Sequence, residues 1–208
     1  MINFVKKSLI LKKKIILAST SRYRAELLQR LQLPFTVVKP DVDETPLYGE
    51  SPGVTALRLA ILKAKSVASE HHGALTDTLI IGSDQVADLD GTQIGKPGTR
   101  ERAFAQLRNM RAKTLIFQTA LAMVDAKSGR IQSRIVPTTV LFRDFSDAEI
   151  NYYLDHENAL DCAGSAKSEG LGAALMAQMN SDDPTALIGL PLLALVDMLS
   201  AEGVKVLQ

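Results

Sequence analysis

The stretch Ile15–Leu31, IILASTSRYRAELLQRL, sets the fold. Its apolar run Ile15–Ala18 predicts a buried strand. Thr20 and Ser21 then supply hydroxyls that can cap a helix starting directly afterwards. In that helix Leu27, Leu28 and Leu31 share a face, and Arg24, one turn before Leu27, falls on the same stripe. An arginine at the first turn of an inward-facing stripe is not there for solvation. It sits in a buried ion pair or it binds an anion.

The same alternation continues outward. Phe35–Val38 predicts a second strand, followed by the acidic loop PDVDETP. Ser51-Pro52 opens a helix, a cap followed by proline at the first helical position. Its apolar stripe is Val54, Leu57, Ile61, Ala64 and Ala68, with Lys63 on the flank. Leu79–Ile81 is a short apolar strand running into Gly82-Ser83-Asp84-Gln85. Asp90-Gly91 is a hairpin turn signal, and IGKPGT leads to a helix from Arg100 to Met110. Thr114–Val124 and Ile131–Phe142 predict two long strands joined at Lys127-Ser128-Gly129. Ser146 and Glu149 form a capping box for a helix through Asp155. CAGSAKSEG is a small-residue loop, and Pro191 opens a last helix ending near Ser200. Early strand–helix alternation followed by a long hairpin predicts an α/β protein on a mixed sheet.

Composition narrows the function classes. The chain has 208 residues, 46% of them hydrophobic, enough for a substantial core. Its net charge of +1 argues against a strongly basic nucleic-acid-binding surface. The longest apolar stretch, Ala186–Val196, is too short and too broken by Gly189 and Pro191 to span a membrane. The single cysteine, Cys162, excludes an internal disulfide and fits a reducing, cytoplasmic compartment. Residues 1–13 are basic and weakly apolar, and are expected as a flexible extension before a single domain over 14–208.

The polar residues that stand out each admit two readings. Ser19, Thr20, Ser21 and Arg22 lie where a strand's C-terminal end meets a helix N-terminus, which suits an anion and equally a plain cap. Asp41, Asp43 and Glu44 either surround a magnesium ion or form a solvated turn. Asp84 has the placement of a general base or metal ligand, or caps the next turn. Lys96 is a phosphate point charge or a surface lysine. His71, His72 and His156 read as solvated, and Cys162 as packing.

Taken in order, LASTSRYRAELL, DVDETP, RLAILKAKSVA, IIGSDQV, IGKP, CAGSAKSEG and ALIGLPL resemble the successive motifs of the Maf nucleotide pyrophosphatases. The likeness runs from Lys14 onward. It implies an elongated α/β fold with a central mixed sheet flanked by helices and two lobes enclosing a cleft, similar to the inosine triphosphate pyrophosphatases. It implies hydrolysis of a nucleoside triphosphate to monophosphate and pyrophosphate, aided by a divalent cation (magnesium, manganese or cobalt). By position, it gives Ser19, Arg24 and Lys63 to substrate phosphates and Asp84 to the proton acceptor. Glu44 and Lys96 join the catalytic set, and Glu44 and Asp84 hold the metal. A homodimer is also implied.

The family varies base preference at three positions, here Tyr23, Gln85 and Glu169. This trio resembles the branch acting on 7-methyl-GTP, which more often carries tryptophan where this chain has Tyr23. The pyrimidine-preferring branch carries arginine there. N7-methylation makes guanine cationic, and a cation over an aromatic face gains about 0.5–2 kcal/mol. A glutamate is acceptor-only and suits the adjacent N1–H and N2–H donors of guanine, whereas against uracil it would face a carbonyl. The alternatives are a dTTP or UTP pyrophosphatase of the same family, a pyrophosphatase for other modified purines, and a non-enzymatic nucleotide-binding regulator of septum formation. The set Glu44, Asp84 and Lys96 favours an enzyme.

Overall fold

The computed structural model describes residues 13–70 and 77–207. Residues 1–12, most of the expected extension, lie outside them, as do His71 and His72. The order of elements is β1 (Lys14–Ala18), α1 (Arg22–Gln29), β2 (Thr36–Val38), α2 (Pro52–Glu70), β3 (Thr78–Leu89), β4 (Thr92–Ile94), α3 (Arg100–Met110), β5 (Thr114–Asp125), β6 (Ile131–Phe142), α4 (Asp147–His156), β7 (Met176–Ser181) and α5 (Leu192–Ala201). Short 3₁₀ turns cover Ala163–Ser165 and Leu171–Leu175. No described helix is long and apolar enough to cross a membrane.

One mixed sheet carries every described strand, in the order β2-β1-β3-β5-β6-β7, with β4 added to β3. β1 is parallel to both β2 and β3, and the remaining pairings are antiparallel. From β1 the chain moves through α1 to β2 on one side, and then through α2 to β3 on the other. The crevice beyond the carboxyl end of β1 is therefore a topological switch point, where open α/β sheets bind ligands. The register sharpens the location. β1 covers the edge of β3 as far as Gly82, and β4 takes that edge up again at Ala87. Between them Ser83–Val86 pairs with β5 and leaves its other edge open to the crevice.

Alternate residues of β3 point to opposite faces. On one face Leu79 and Ile81 join a core built with α1 and α5. Ala87 and Leu89, on the same face, join a second core with α3 and α4. Polar Ser83 and Gln85 lie between the two. On the other face Ile80 and Val86 pack beneath α2.

The fit of α2 corrects the expected stripe. Its buried positions are Pro52, Thr55, Ala56, Leu59, Ala60, Lys63, Ala64 and Val67. Val54 is instead 53% exposed. The sheet explains the difference. A Cβ on Gly82 would lie 2.2 Å from the Ala60 carbonyl oxygen and 2.9 Å from the Ala64 nitrogen. Only the alanine ridge can approach so closely, so Leu57 and Ile61 turn to the flank and Lys63 turns inward.

Two further expectations need correcting. Asp84 does not follow the end of a strand, because β3 continues through it to Leu89. Gly82-Ser83 is accordingly not a turn, and its small size serves the approach of α2. β7 has no apolar signal in MAQMNS, since it is an edge strand in which Met176 alone is buried. Elsewhere the capping box at Ser146 and Glu149 is present in full, and Leu89 pairs with Thr92 across the Asp90-Gly91 turn. The first strand begins at Lys14, and the residue before it is tied down. Lys13 places its ammonium 2.6 Å from Asp125 and 2.8 Å from Glu202, fastening the head of β1 to the end of β5 and to the residue after α5.

Candidate active site

The corner between β1 and α1 is stitched by its own hydroxyls. Ser21 is the N-cap, and its Oγ accepts from the Arg24 backbone N–H at 3.4 Å. Ser19, 4% exposed, accepts from the Ser21 N–H at 3.1 Å. Arg24 turns inward, as its place on the leucine stripe predicts. Its Nε donates to the Gly189 carbonyl at 2.8 Å, and Ser83 Oγ approaches that same carbonyl at 2.8 Å. Gly189 holds φ at +121°, a conformation that disfavours side chains. Burial lowers the pKa of the Arg24 guanidinium, while Asp84 and Glu44 act in the opposite direction.

Below this corner lies a charged cluster. Lys63, 5% exposed, donates from Nζ to Asp84 Oδ1 at 2.6 Å, and the same ammonium lies 3.1 Å from Glu44 Oε1. Asp84 is 6% exposed. Burial raises its pKa above the ordinary carboxylate value; Lys63 and Arg24 oppose that rise and Glu44 adds to it. The result is a carboxylate that faces two cations yet is shifted towards the basicity useful to a proton acceptor. The flank position of Lys63 concealed this in the sequence, and only the phase of α2 reveals it.

These residues line a cavity of about 640 Å³ at the switch point, together with Tyr23, Gln85 and Lys96. That volume falls in the usual range for small-molecule sites. Asp84 and Gln85 are neighbours on β3 and so point to opposite faces, and the open edge lets both reach the cavity. Gln85 is anchored: its Nε2 donates to Thr119 Oγ1 at 2.9 Å and to the carbonyls of Ala186 and Leu187 at 3.1 and 2.9 Å. Tyr23 carries the Arg22 guanidinium 4.8 Å from its ring centre and the Lys167 ammonium at 5.7 Å. Arg22 also donates to the Tyr23 hydroxyl at 3.2 Å. Lys96 is exposed in the cavity lining.

Glu169 is not brought to the lining. It is exposed, and its carboxylate accepts from Ser168 Oγ at 3.3 Å. Asp41 and Asp43 also stand apart, in a separate shallow groove with Arg58 and Lys65. His156 is exposed and stacks on Tyr152 at 4.1 Å. Burial and the neighbouring Asp161 push the Cys162 thiol up to about 12, the state of an inert thiol rather than a nucleophile. Three lining residues escaped sequence reasoning: Thr55, Gln93 and Asp161. Gln93 donates to Thr55 Oγ1 at 2.8 Å, which ties β4 to α2. Asp161 precedes the small-residue loop and has no pattern of its own.

The donor set suits a divalent cation of the magnesium type. Glu44 and Asp84 converge on one positive charge, the Lys63 ammonium. Two carboxylates with substrate phosphate and water are the usual company of magnesium. Among the described residues no group of three or more His, Cys, Asp or Glu could hold a metal ion, so a cation here would need phosphate oxygens to complete its shell.

Known proteins resemble this chain over nearly its whole described length. The family model described as "Maf-like protein" matches residues 14–202. A "7-methyl-GTP pyrophosphatase" from Thiobacillus denitrificans is 58% identical over 193 residues, 93% of this chain and 94% of that protein. Another of the same description from Aromatoleum aromaticum is 57% identical over 190 residues, covering 91% and 96%. Among solved structures, a nucleoside-triphosphatase/dITP/XTP pyrophosphatase from Mycobacterium abscessus aligns with 91% of this chain and 97% of its own. That likeness has 17% identity and a TM-score of 0.42, too weak to speak to the site. With its motifs in order and its family match spanning nearly every described residue, the chain belongs to the Maf family.

Proposed function

We propose that this protein is a nucleoside triphosphate pyrophosphatase that converts 7-methyl-GTP to 7-methyl-GMP and pyrophosphate, clearing a modified nucleotide. The observation that carries the reading is the buried Lys63–Asp84 pair at 2.6 Å, at a topological switch point beneath Arg24. The relatives described as 7-methyl-GTP pyrophosphatases support the choice of substrate.

Arg24, Lys63 and Lys96 take the triphosphate, and Ser19 closes the corner around it. Asp84 orients a water towards the α-phosphorus and accepts its proton as the new P–O bond forms. The bond from the α-phosphorus to the α,β-bridging oxygen breaks, and the electron pair leaves with pyrophosphate. Arg24, Lys63 and Lys96 neutralise the charge that gathers on it. A divalent cation held by Glu44 and Asp84 would supply electrostatic stabilisation of phosphate oxygens.

Tyr23 offers its ring to the cationic base, and the two cations already beside it are consistent with an electron-rich face. Gln85 supplies an anchored amide at the same end. Glu169 reads the N1–H and N2–H edge, which requires its exposed side chain to turn from Ser168 towards the base.

The test is a panel of 7-methyl-GTP, GTP, dTTP, UTP, CTP and ITP with magnesium, manganese or cobalt, scored by released pyrophosphate. The expected result is the highest kcat/KM on 7-methyl-GTP and loss of turnover with a chelator. A preference for dTTP or UTP would sink the base assignment. Glu169→Gln is expected to reduce discrimination between guanine and pyrimidine nucleotides more than kcat, and an equal loss on every substrate would make Glu169 structural.

A further inference from the structure

The base end of the cavity poses an electrostatic problem. Resting on the proposed 7-methyl-GTP substrate, Tyr23 must attract a positively charged ring, yet two cations already lie against it. Unanswered, they would repel such a base.

One of them is answered. The Lys167 ammonium lies 2.6 Å from Glu157 Oε1. Glu157 is itself held, since its Oε2 accepts from the Leu171 N–H at 3.1 Å. A Cβ on Gly170 would come within 2.2 Å of that oxygen. The Lys167 backbone N–H donates to Tyr153 Oη at 3.2 Å. Lys167 and Glu157 thus form a fixed, internally neutral pair.

Arg22 has no such carboxylate among its described hydrogen bonds, and its guanidinium reaches only Tyr23 Oη. Two carboxylates favour the charged form of Arg22, Glu26 ahead of Asp161. Of the two, only Asp161 lines the cavity with Arg22 and Tyr23. Among the described residues the Asp161 carboxylate takes only the weak Cys162 thiol, at 3.5 Å. Its side chain is exposed and free to face a ligand.

We infer that Asp161 is a specificity-determining residue, the carboxylate that turns the base end of the cleft attractive to a cationic purine and so separates N7-methylated from plain guanine. This task differs from that proposed for Glu169. N1–H and N2–H are present on both guanines, so Glu169 separates purine from pyrimidine. The methyl group makes the ring cationic and removes the N7 acceptor, and a carboxylate is the side chain that answers the added charge.

Asp161→Asn keeps shape and removes the charge. The quantity to measure is the ratio of kcat/KM for 7-methyl-GTP over GTP. It should fall about tenfold, the scale of one unit charge a few ångströms away at a part-exposed site, with the loss borne by 7-methyl-GTP. Raising the salt concentration should shrink the ratio for the unsubstituted protein and leave that of Asp161→Asn nearly flat. Arg22→Gln should move the ratio the opposite way. An equal loss on both nucleotides would show that Asp161 only supports the loop, and an unchanged ratio would overturn the inference. If the unsubstituted protein hydrolyses neither nucleotide, the proposed function fails instead. Calorimetric binding of 7-methyl-GMP against GMP then reads the same ratio without hydrolysis, and equal affinities in Asp161→Asn and unsubstituted protein would overturn the role of Asp161.

Discussion

Replacing Lys63 by methionine tests the centre of the site. Methionine matches the aliphatic stem and removes the ammonium that lies 2.6 Å from Asp84 and 3.1 Å from Glu44. The Glu44 side chain is 56% exposed, so water replaces that contact at little cost. Asp84 is 6% exposed and would keep Arg24 as a nearby cation. Breaking a buried pair from one side typically costs about 3–5 kcal/mol; with Arg24 still present, the lower end, about 3 kcal/mol, is expected. The sign with pH follows from the direction of the shift. The folded-state pKa of Asp84 is already raised above 3.8, and losing Lys63 raises it further. Folded Lys63→Met protein therefore keeps a proton that the unfolded chain has lost. Its stability falls as pH climbs from 3.8 through the raised value. Urea denaturation at acid and at neutral pH should show the deficit small in the first case and near its full size in the second. In an Asp84→Asn background the cost of Lys63→Met should drop by about 2 kcal/mol, because the two residues are coupled. Manganese should also raise the denaturation midpoint of Lys63→Met, since a divalent cation can replace the missing charge between Glu44 and Asp84. The same deficit with and without Asp84 would refute the pairing argument.

Three other expectations follow from separate contacts. Gly82→Ala puts a methyl group 2.2 Å from the Ala60 carbonyl; by overpacking it should cost about 1–3 kcal/mol and lower kcat by moving Lys63 away from Asp84, and a melting temperature equal to the parent's would contradict the close approach of α2. The Asp125 carboxyl is held down at about 2, chiefly by Lys13. Its contribution is fully present above the ordinary value of 3.8 and is lost as pH falls towards 2; Asp125→Asn should flatten that part of the acid-denaturation curve, and an unaltered curve would count against the clamp. Cys162→Ala should leave turnover within about twofold, in keeping with an inert thiol, and abolition of activity would return Cys162 to the chemistry.

What could be read in the sequence was whatever depends on local chemistry. The hydroxyls after Ala18, proline at position 52, the capping box at Ser146 and the Asp90-Gly91 turn each constrain a few neighbouring residues, and each sits where it was expected. The inward turn of Arg24 was legible because a single leucine stripe defines its helix. The burial of Lys63 was not, because the face of α2 is chosen by the bare backbone at Gly82 rather than by the bulkiest residues of the helix. Nor was the continuity of β3, since Gly82 and Ser83 look like a turn until α2 and the Gly189 carbonyl are in place. β7 is a polar edge strand and carries no alternation to detect. Asp161 was invisible because its meaning lies in Arg22 and Tyr23, far away along the chain.

The open edge at Ser83–Val86 divides the site by origin. The groups proposed for phosphate chemistry all come from the first half of the chain: the β1–α1 corner, α2, β3 and the loops carrying Glu44 and Lys96. Apart from Tyr23 and Gln85, the base end is walled by a short loop after α4, fixed by Glu157 and Tyr153 rather than by the sheet. Such an arrangement lets the two halves change at different rates. Substitutions in the loop can redirect which base is accepted without disturbing the hydrolytic machinery, and a lineage can acquire a new nucleotide to police by rewriting only a few residues there.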